Sequence, residues 1–175
     1  MLSPELEEKI KKIKILILDV DGVLTDGRIF IEDTGLEIKA FDVKDGHGIR
    51  MAQRVGLKVA FLSGRVSKTV IKRAEELGVV DVLQGMFFKL EGYEALRVKY
   101  QLEPEEMAYV GDDVVDIPVL KRVGFSVAVP DAVPEVKEVV HYITTLPGGR
   151  GAVREVIDLI LKIQGRWNNA MERYR

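Results

Sequence analysis

Two carboxylates one residue apart, Asp19 and Asp21, follow the apolar run Ile15–Leu18. Crowded carboxylates repel each other and resist losing their water, so they stay ionised only beside a cation or with one proton retained. A bound divalent metal would supply that cation. On these residues alone the pair could equally cap a turn, because Asp and Gly are common turn residues.

A second acidic cluster, Asp112, Asp113 and Asp116, follows the run Met107–Val110. A helix N-cap could account for one of these residues but hardly for all three. The chain has no cysteine and only two histidines, so a metal here would be bound mainly by oxygen. A compact set of oxygen ligands favours Mg²⁺ over Ca²⁺.

Two further segments carry groups that suit a phosphate. Ser63, Gly64 and Arg65 follow the apolar run Val59–Leu62 and offer a hydroxyl and flexible backbone N–H groups. Lys89 directly precedes a predicted helix and offers an ammonium group. Taken singly, an ordinary turn and a solvated surface lysine account for these segments equally well.

The order of the elements would bring these groups together. Strand-like runs end at Asp19, Leu62, Gln84, Val110, Val129 and Ile143, and helical spacing is found at 45–55, 67–77, 90–101, 113–122 and 150–164. This alternation predicts an α/β fold with a doubly wound, Rossmann-like parallel sheet. Right-handed crossovers place the strand ends on one edge of such a sheet, where ligands bind.

Two segments depart from this alternation. Residues 28–41 read as two β-rich runs around a turn and predict a hairpin that protrudes from the sheet and needs a partner to pack against. That partner is the hairpin's own domain or another subunit. The tail 165–175 is basic and aromatic; we expect either a frayed end or a lid over a neighbouring subunit.

Composition limits the class of protein. The chain has 175 residues, 47% of them hydrophobic, which suits a single domain over 1–175. Its net charge of −2 favours neither nucleic acid nor an anionic membrane. The apolar run 13–18 is far shorter than the ~20 residues of a membrane span, and the N-terminus lacks a signal-peptide pattern. We expect a soluble, cytoplasmic protein.

The order Asp-x-Asp, Ser, Lys and Gly-Asp-Asp-x-x-Asp over 15–117 resembles the haloacid dehalogenase superfamily of phosphatases. The resemblance implies that Asp19 is the nucleophile and that Asp21 is the general acid and base. It also implies that Asp19, the backbone carbonyl of Asp21 and Asp112 bind Mg²⁺.

The same resemblance assigns supporting roles. Asp113 and Asp116 would orient metal-bound water and Lys89 from a second layer around the metal. Ser63, the N–H of Gly64 and Lys89 would hold the phosphoryl oxygens, which makes Lys89 part of the catalytic set.

The chain has no room for the cap domain that many superfamily members carry. Asp21 and Ser63 are separated by 41 residues, and Lys89 and Gly111 by 21, which the predicted elements use up. We expect an uncapped site, closed by another subunit or, if the substrate is a macromolecule, by the substrate itself.

Among uncapped members, the motifs Lys44–Ile49, Leu62–Arg65 and Gly148–Glu155 are similar to those of 3-deoxy-D-manno-octulosonate 8-phosphate phosphatases. That resemblance implies hydrolysis of a small phosphorylated sugar acid in lipopolysaccharide precursor synthesis. It also implies a homotetramer with shared active sites.

A substrate with both phosphate and carboxylate calls for extra arginines. Arg65 is the best placed, while Arg150 and Arg154 could equally be solvated helix-terminal charges. His47, whose flanking glycines favour a loop at the start of the predicted helix, could contact a sugar hydroxyl or be a turn residue. We expect His141, in an apolar strand, to be structural.

Three other functions remain open at this point. A phosphorylated signalling receiver shares these residue types, but in another order along the sheet. A non-catalytic sugar-acid-binding homologue would not need the complete motif set. A phosphatase for another sugar acid phosphate differs only in pocket contacts, which change selectivity by a few kcal/mol.

Overall fold

The computed structural model describes residues 2–175. Its strands are β1 Ile15–Leu18, β2 Phe30–Ile31, β3 Glu37–Ile38, β4 Lys58–Leu62, β5 Asp81–Leu83, β6 Met107–Gly111, β7 Phe125–Ala128 and β8 Tyr142–Ile143. Six of them form one parallel sheet in the order β5-β4-β1-β6-β7-β8. The predicted α/β class and doubly wound parallel sheet are therefore confirmed.

Strand β1 lies where the order of the sheet reverses. Ile15–Leu18 pairs in register with Lys58–Phe61 on one side and with Met107–Val110 on the other. All four β1 residues are inaccessible to solvent, as expected for a strand covered on both faces. The loops after β1, β4 and β6 are thus neighbours at the edge where open α/β sheets bind ligands.

Helices cover both faces of this sheet. They are α1 Pro4–Lys11, α2 Val43–Arg54, α3 Lys68–Leu77, α4 Lys89–Tyr100, α5 Ile117–Leu120, α6 Pro134–Lys137, α7 Ala152–Ile163 and α8 Trp167–Met171. Helix α2 packs against α3 and α7, and α4 packs against α5. None of the helices in residues 2–175 is both long and apolar enough to cross a membrane.

The predicted helix 113–122 is wrong in its first part. A 3₁₀ turn, Val114–Asp116, precedes the short helix α5. The Asp116 carboxylate folds back and accepts hydrogen bonds from the N–H groups of Asp112 and Asp113, at 2.9 and 3.1 Å. This side-chain bonding competes with regular helical bonding and tightens the turn.

The expectation of a loop at His47 is also wrong, because His47 lies inside α2. Helix α2 begins earlier than predicted, since Asp42 caps it by accepting from the N–H groups of Lys44 and Asp45. The glycines beside His47 serve close helix packing instead of a turn. A Cβ on Gly48 would lie 2.8 Å from Cδ of Arg154 on α7.

The predicted hairpin is present with very short strands. Strands β2 and β3 pair antiparallel as a separate two-stranded sheet. Its apolar side chains are solvent-exposed: Phe30 at 55%, Ile31 at 68%, Leu36 at 56% and Ile38 at 49%. Such a small ribbon is marginally stable alone in water, so this exposed apolar surface suits contact with another chain.

The C-terminal tail is ordered and packs on its own chain, so the expectation of a frayed end is wrong. Helix α8 is followed by a 3₁₀ turn, Glu172–Tyr174. The Tyr174 hydroxyl lies 2.8 Å from His47 Nε2 and accepts a hydrogen bond of 2.7 Å from Arg54. The lid role over a neighbouring subunit stays a prediction.

A buried carboxylate joins α2 to α7. Asp45, 1% exposed, accepts hydrogen bonds from the backbone N–H groups of Arg154 at 2.8 Å and Gly151 at 3.3 Å, at the start of α7. Negative charge is favourable at a helix N-terminus, but burial raises the pKa of Asp45 to about 6.

We expect Asp45→Asn to change how stability depends on pH. Because the folded pKa of Asp45 lies above its ordinary value of 3.8, its ionisation makes the native state less stable as pH rises from about 4 to about 6. The asparagine variant lacks this loss. We would measure the free energy of unfolding of both proteins by urea at pH 4.5 and pH 7. Relative to the unsubstituted protein, the variant should be more stable at pH 7 than at pH 4.5. A pH-independent difference between the two proteins would contradict this account of Asp45.

Candidate active site

A cavity of about 310 Å³ opens at the carboxyl edge of the sheet beside β1. It is lined by Asp19, Asp21, Ser63, Gly64, Arg65, Met86, Phe87, Lys89, Asp112, Asp113 and Val115. Members of both acidic clusters and the phosphate-type groups that the sequence separates therefore share one cavity, as their positions after strands of one parallel sheet predict.

Asp19 ends β1 and is held rigidly. Its backbone N–H donates to the carbonyl of Val110, and its Oδ1 accepts from the N–H of Val20 at 2.8 Å. The residue is only 6% exposed. A tight turn, Val20–Leu24, follows it and carries Asp21 to the cavity wall.

Lys89 is the cation that the described residues provide for this cluster. Its Nζ lies 2.8 Å from Asp19 Oδ1 and 2.6 Å from Asp116 Oδ1, and it donates to the Tyr109 hydroxyl at 3.2 Å. Asp116, fully buried, also accepts from that hydroxyl at 2.6 Å. Lys89 is therefore fixed by a buried network, as expected for a residue that must meet a phosphate in one position.

One ammonium group does not balance the acidic residues. Oxygen atoms of Asp19, Asp112 and Asp116 lie within 4.8 Å of one another, and Asp112 Oδ1 is buried without a hydrogen-bond partner among residues 2–175. An unpaired buried carboxylate oxygen is costly. The all-oxygen donor set and this orphaned atom together fit a hard divalent cation such as Mg²⁺.

The pKa shifts in the cluster also indicate that positive charge is missing. Burial raises the pKa of Asp19, and the nearby Asp116 carboxylate raises it further. Burial and the charge of Asp19 likewise raise the pKa of Asp112. Burial alone would lower the pKa of Lys89, but Asp19 and Asp116 outweigh this and raise it. The carboxylates are thus short of positive charge, while Lys89 stays protonated.

The loop after β4 forms the opposite wall. Ser63 is 3% exposed, its backbone N–H donates to Leu83 and its Oγ accepts from the N–H of Arg65 at 3.2 Å. A Cβ on Gly64 would meet the carbonyl of Met86 only at 3.7 Å. Gly64 lies in the cavity lining, where its backbone N–H group suits an anion.

Asp21 lies in a cluster of four charges at the base of the hairpin. Lys39 Nζ lies 2.5 Å from Asp21 Oδ1 and 2.9 Å from Glu37 Oε1. Arg65 completes the cluster, with Nη2 2.8 Å from Glu37 Oε2. Hydrogen bonding from Lys39 lowers the pKa of Glu37 to about 2. The hairpin thus contributes charged side chains to the cavity edge.

The loop before α7 packs against the turn after Asp19. Gly149 N–H donates to the carbonyl of Val23 at 2.9 Å. A Cβ on Gly148 would lie 1.8 Å from the carbonyl oxygen of Gly22, so only glycine fits. Gly22 itself has φ of +91°, and a Cβ there would lie 1.9 Å from Asp112 Oδ2. These glycines let the acidic segments approach each other.

Three predicted substrate-binding residues lie outside the cavity of this chain. Arg150 Nη2 lies 3.8 Å from Asp26 Oδ2, and Arg154 Nε donates to Asp158 within α7. His47 contacts Tyr174, as described above. Their roles toward a substrate stay predictions. His141 binds Ser126 through Nδ1, in keeping with its expected structural role.

Sequence reasoning missed three polar residues of the site, Tyr109, Lys39 and Glu37. Tyr109 is the polar side chain within the otherwise apolar β6, and this interruption was a usable signal. Lys39 follows β3, and its side chain is inaccessible to solvent although the hairpin around it is exposed. The sequence shows that Glu37 and Lys39 lie on the same face of the predicted strand. It does not show in which direction the hairpin leaves the sheet, so it could not predict that this face meets Asp21.

Comparison with known proteins agrees with this geometry. The profile of haloacid dehalogenase-like hydrolases matches residues 75–157. The 3-deoxy-D-manno-octulosonate 8-phosphate phosphatase of Salmonella typhimurium is 48% identical over 97% of this chain and 90% of its own length.

Solved structures give the same result. A crystal structure of 3-deoxy-D-manno-octulosonate 8-phosphate phosphatase from Moraxella catarrhalis, in complex with a magnesium ion, a phosphate ion and a KDO molecule, has a TM-score of 0.95 and 40% identity over 98% of both chains. The Yersinia pestis enzyme has a TM-score of 0.93 and 44% identity, covering 95% of this chain and 90% of its own. The predicted membership is thus confirmed, and this chain belongs to the 3-deoxy-D-manno-octulosonate 8-phosphate phosphatase family of haloacid dehalogenase-like hydrolases.

Proposed function

We propose that this protein is a Mg²⁺-dependent phosphatase that hydrolyses 3-deoxy-D-manno-octulosonate 8-phosphate to the free sugar acid and phosphate. The observation that carries the proposal is the meeting of Asp19, Asp112, Lys89 and Ser63 around one cavity. Phosphoryl transfer depends on positioning and on stabilising negative charge, and this arrangement offers both. The 48% identity to the Salmonella phosphatase supports the same activity.

In the first step an oxygen of Asp19 attacks phosphorus. The Asp19–phosphorus bond forms as the ester bond to the sugar oxygen breaks, and Asp21 gives its proton to that departing oxygen. The products are the free sugar acid, an aspartyl phosphate at position 19 and the Asp21 carboxylate. Lys89, Ser63 and the N–H of Gly64 hold the other phosphoryl oxygens.

In the second step a water molecule attacks the same phosphorus. Asp21 takes a proton from the water as the new bond forms, and the bond to Asp19 breaks. This releases inorganic phosphate and restores the Asp19 carboxylate and the protonated Asp21. One residue thus serves as acid and then as base, which requires it to stay in place through both steps.

Asp19, the backbone carbonyl of Asp21 and Asp112 would hold the Mg²⁺. When bound, the ion would offset the repulsion between Asp19 and an anionic phosphate. Asp116 would keep Lys89 oriented, as its 2.6 Å contact suggests, and Asp113 at the cavity wall would orient water on the ion.

The sugar acid offers a carboxylate in addition to its phosphate, and Arg65 is the arginine that lines the cavity. Arginine binds carboxylates in a bidentate manner. The KDO molecule in the Moraxella catarrhalis complex supports this substrate class. A phosphatase for another sugar acid phosphate is the second candidate, since Arg65 would suit any such carboxylate.

We place this single-domain protein in the cytoplasm, in lipopolysaccharide precursor synthesis, as a homotetramer with shared active sites. Between Asp21 and Ser63 the chain forms only the hairpin, α2 and β4, so the cavity is open on its outer side. The exposed apolar hairpin gives the means of association, and a neighbouring subunit would exclude water from the cavity.

Metal removal and one substitution test the chemistry. With p-nitrophenyl phosphate we expect turnover with Mg²⁺ and none with EDTA, because without the metal Lys89 alone does not offset the charges of the clustered carboxylates and the phosphate. Asp19→Asn removes the nucleophile and should lower kcat by at least ~10³-fold. Asp33→Asn, at an exposed position of the hairpin turn, is the matched control. If the unsubstituted protein did not hydrolyse p-nitrophenyl phosphate, a non-catalytic binding homologue would be favoured.

A panel of phosphorylated sugars tests the substrate. We expect kcat/KM for 3-deoxy-D-manno-octulosonate 8-phosphate to exceed that of sugar phosphates without a carboxylate by about 10²-fold, since only an acidic sugar offers Arg65 a carboxylate to bind. Arg65→Met should reduce this preference about tenfold, whereas Arg122→Met, exposed on another side, should not. Equal rates for acidic and neutral sugars would refute the substrate assignment and leave the phosphatase.

Charge placed on the hairpin tests the assembly. We expect light scattering to give a mass four times the 19.6 kDa of the chain. Ile31→Glu should reduce that mass, because burying an unpaired carboxylate between subunits is unfavourable. Val80→Glu, at another apolar position that is 81% exposed, should leave it unchanged. A monomeric unsubstituted protein, or an unchanged mass for Ile31→Glu, would contradict the tetramer.

A further inference from the structure

We infer that Lys39 is a positioning residue that fixes the direction of the Asp21 carboxyl group for proton transfer. This inference rests on the proposed phosphatase function and on Asp21 as its acid and base. Lys39 belongs to the hairpin, whose apolar side chains Phe30, Ile31, Leu36 and Ile38 are solvent-exposed. The hairpin would thus contribute to the chemistry as well as to assembly.

Lys39 is unusual for a lysine of a surface hairpin. Its side chain is inaccessible to solvent, and lysine is almost never buried without a charged partner. Its Nζ contacts Asp21 Oδ1 at 2.5 Å and Glu37 Oε1 at 2.9 Å. A flexible side chain whose end is buried between two carboxylates keeps few conformations, so it can serve as a fixed point.

Glu37 is the second carboxylate that holds the Lys39 ammonium group in place. It contacts Lys39 through Oε1 and Arg65 through Oε2, the latter at 2.8 Å. Two positive and two negative groups therefore alternate around the base of the hairpin. Breaking such a set at one member leaves the others uncompensated, which keeps Lys39 in place.

The consequence for Asp21 concerns its two oxygen atoms. Oδ1 accepts the hydrogen bond from Lys39, whereas Oδ2 has Arg65 Nε at 3.8 Å, which is too long for a hydrogen bond. Asp21 also lines the cavity. Holding Oδ1 fixes the plane of the carboxyl group and leaves Oδ2 for the departing sugar oxygen and then for water. Proton transfer depends on such alignment.

The leaving group separates this role from a purely structural one. An alkoxide needs a proton as it departs, whereas p-nitrophenolate is a stable anion that departs without one. Displacing the acid therefore slows the first step with alkyl phosphates much more than with p-nitrophenyl phosphate. A loss of folded or correctly shaped protein slows both substrates by the same factor.

The experiment compares kcat/KM for p-nitrophenyl phosphate with kcat/KM for the best alkyl phosphate of the sugar panel, because kcat/KM reports the steps up to formation of the aspartyl phosphate and leaves out the second step that both substrates share. We expect Lys39→Met to lower the alkyl rate at least about tenfold more than the p-nitrophenyl rate. Lys72→Met, at an exposed position of α3, is the matched control and should change neither rate. Equal losses on the two substrates for Lys39→Met would overturn the inference and leave the proposed function intact.

A double variant covers the case in which Lys39→Met does not fold. Asp21→Asn with Lys39→Met removes both charges of this ion pair, which is better tolerated than removing one. If Lys39 acts through Asp21, this double variant should hydrolyse the alkyl phosphate at the rate of Asp21→Asn alone. If the double variant hydrolysed the alkyl phosphate more than about tenfold more slowly than Asp21→Asn alone, the inference would be overturned. No turnover of either substrate by the unsubstituted protein would overturn the proposed function and this inference together.

Discussion

Repulsion among buried carboxylates is the constraint on which this structure depends. Asp19, Asp112 and Asp116 place oxygen atoms within 4.8 Å of one another, and Lys89 offers them a single compensating charge. A folded chain accepts this arrangement only if other forces hold the segments in place and a further cation joins them. The site is therefore unfavourable by itself and is maintained by the rest of the fold.

The parallel sheet supplies that holding force. Strand β1 is buried between β4 and β6, so the loops that follow these strands cannot move apart without disrupting the core. Two further contacts hold the loops in place. Gly148 packs closely against the turn after Asp19, and Asp45 accepts a hydrogen bond from the start of α7. Stability in the core thus supports strain at the sheet edge, as is common at functional sites.

The sequence predicted the parts of the site that follow from strand order. Asp19, Ser63 and Asp112 each follow an apolar run, and parallel strands with right-handed crossovers bring such ends together. Contacts between distant segments were not predictable in the same way. Lys39 reaches Asp21 because of the direction in which the hairpin leaves the sheet, and Asp45 reaches the backbone N–H of Arg154 because α2 packs against α7. Neither fact is encoded in local periodicity.

The most direct test of the shared cation is calorimetric titration of Mg²⁺ into the unsubstituted protein and into Asp112→Asn. Loss of one carboxylate ligand should weaken the binding strongly, because Asp112 Oδ1 has no other partner among residues 2–175. We predict one Mg²⁺ per chain and at least ~10-fold weaker binding by the variant, with Asp33→Asn unchanged. Equal affinity of Asp112→Asn and the unsubstituted protein for Mg²⁺ would contradict the account.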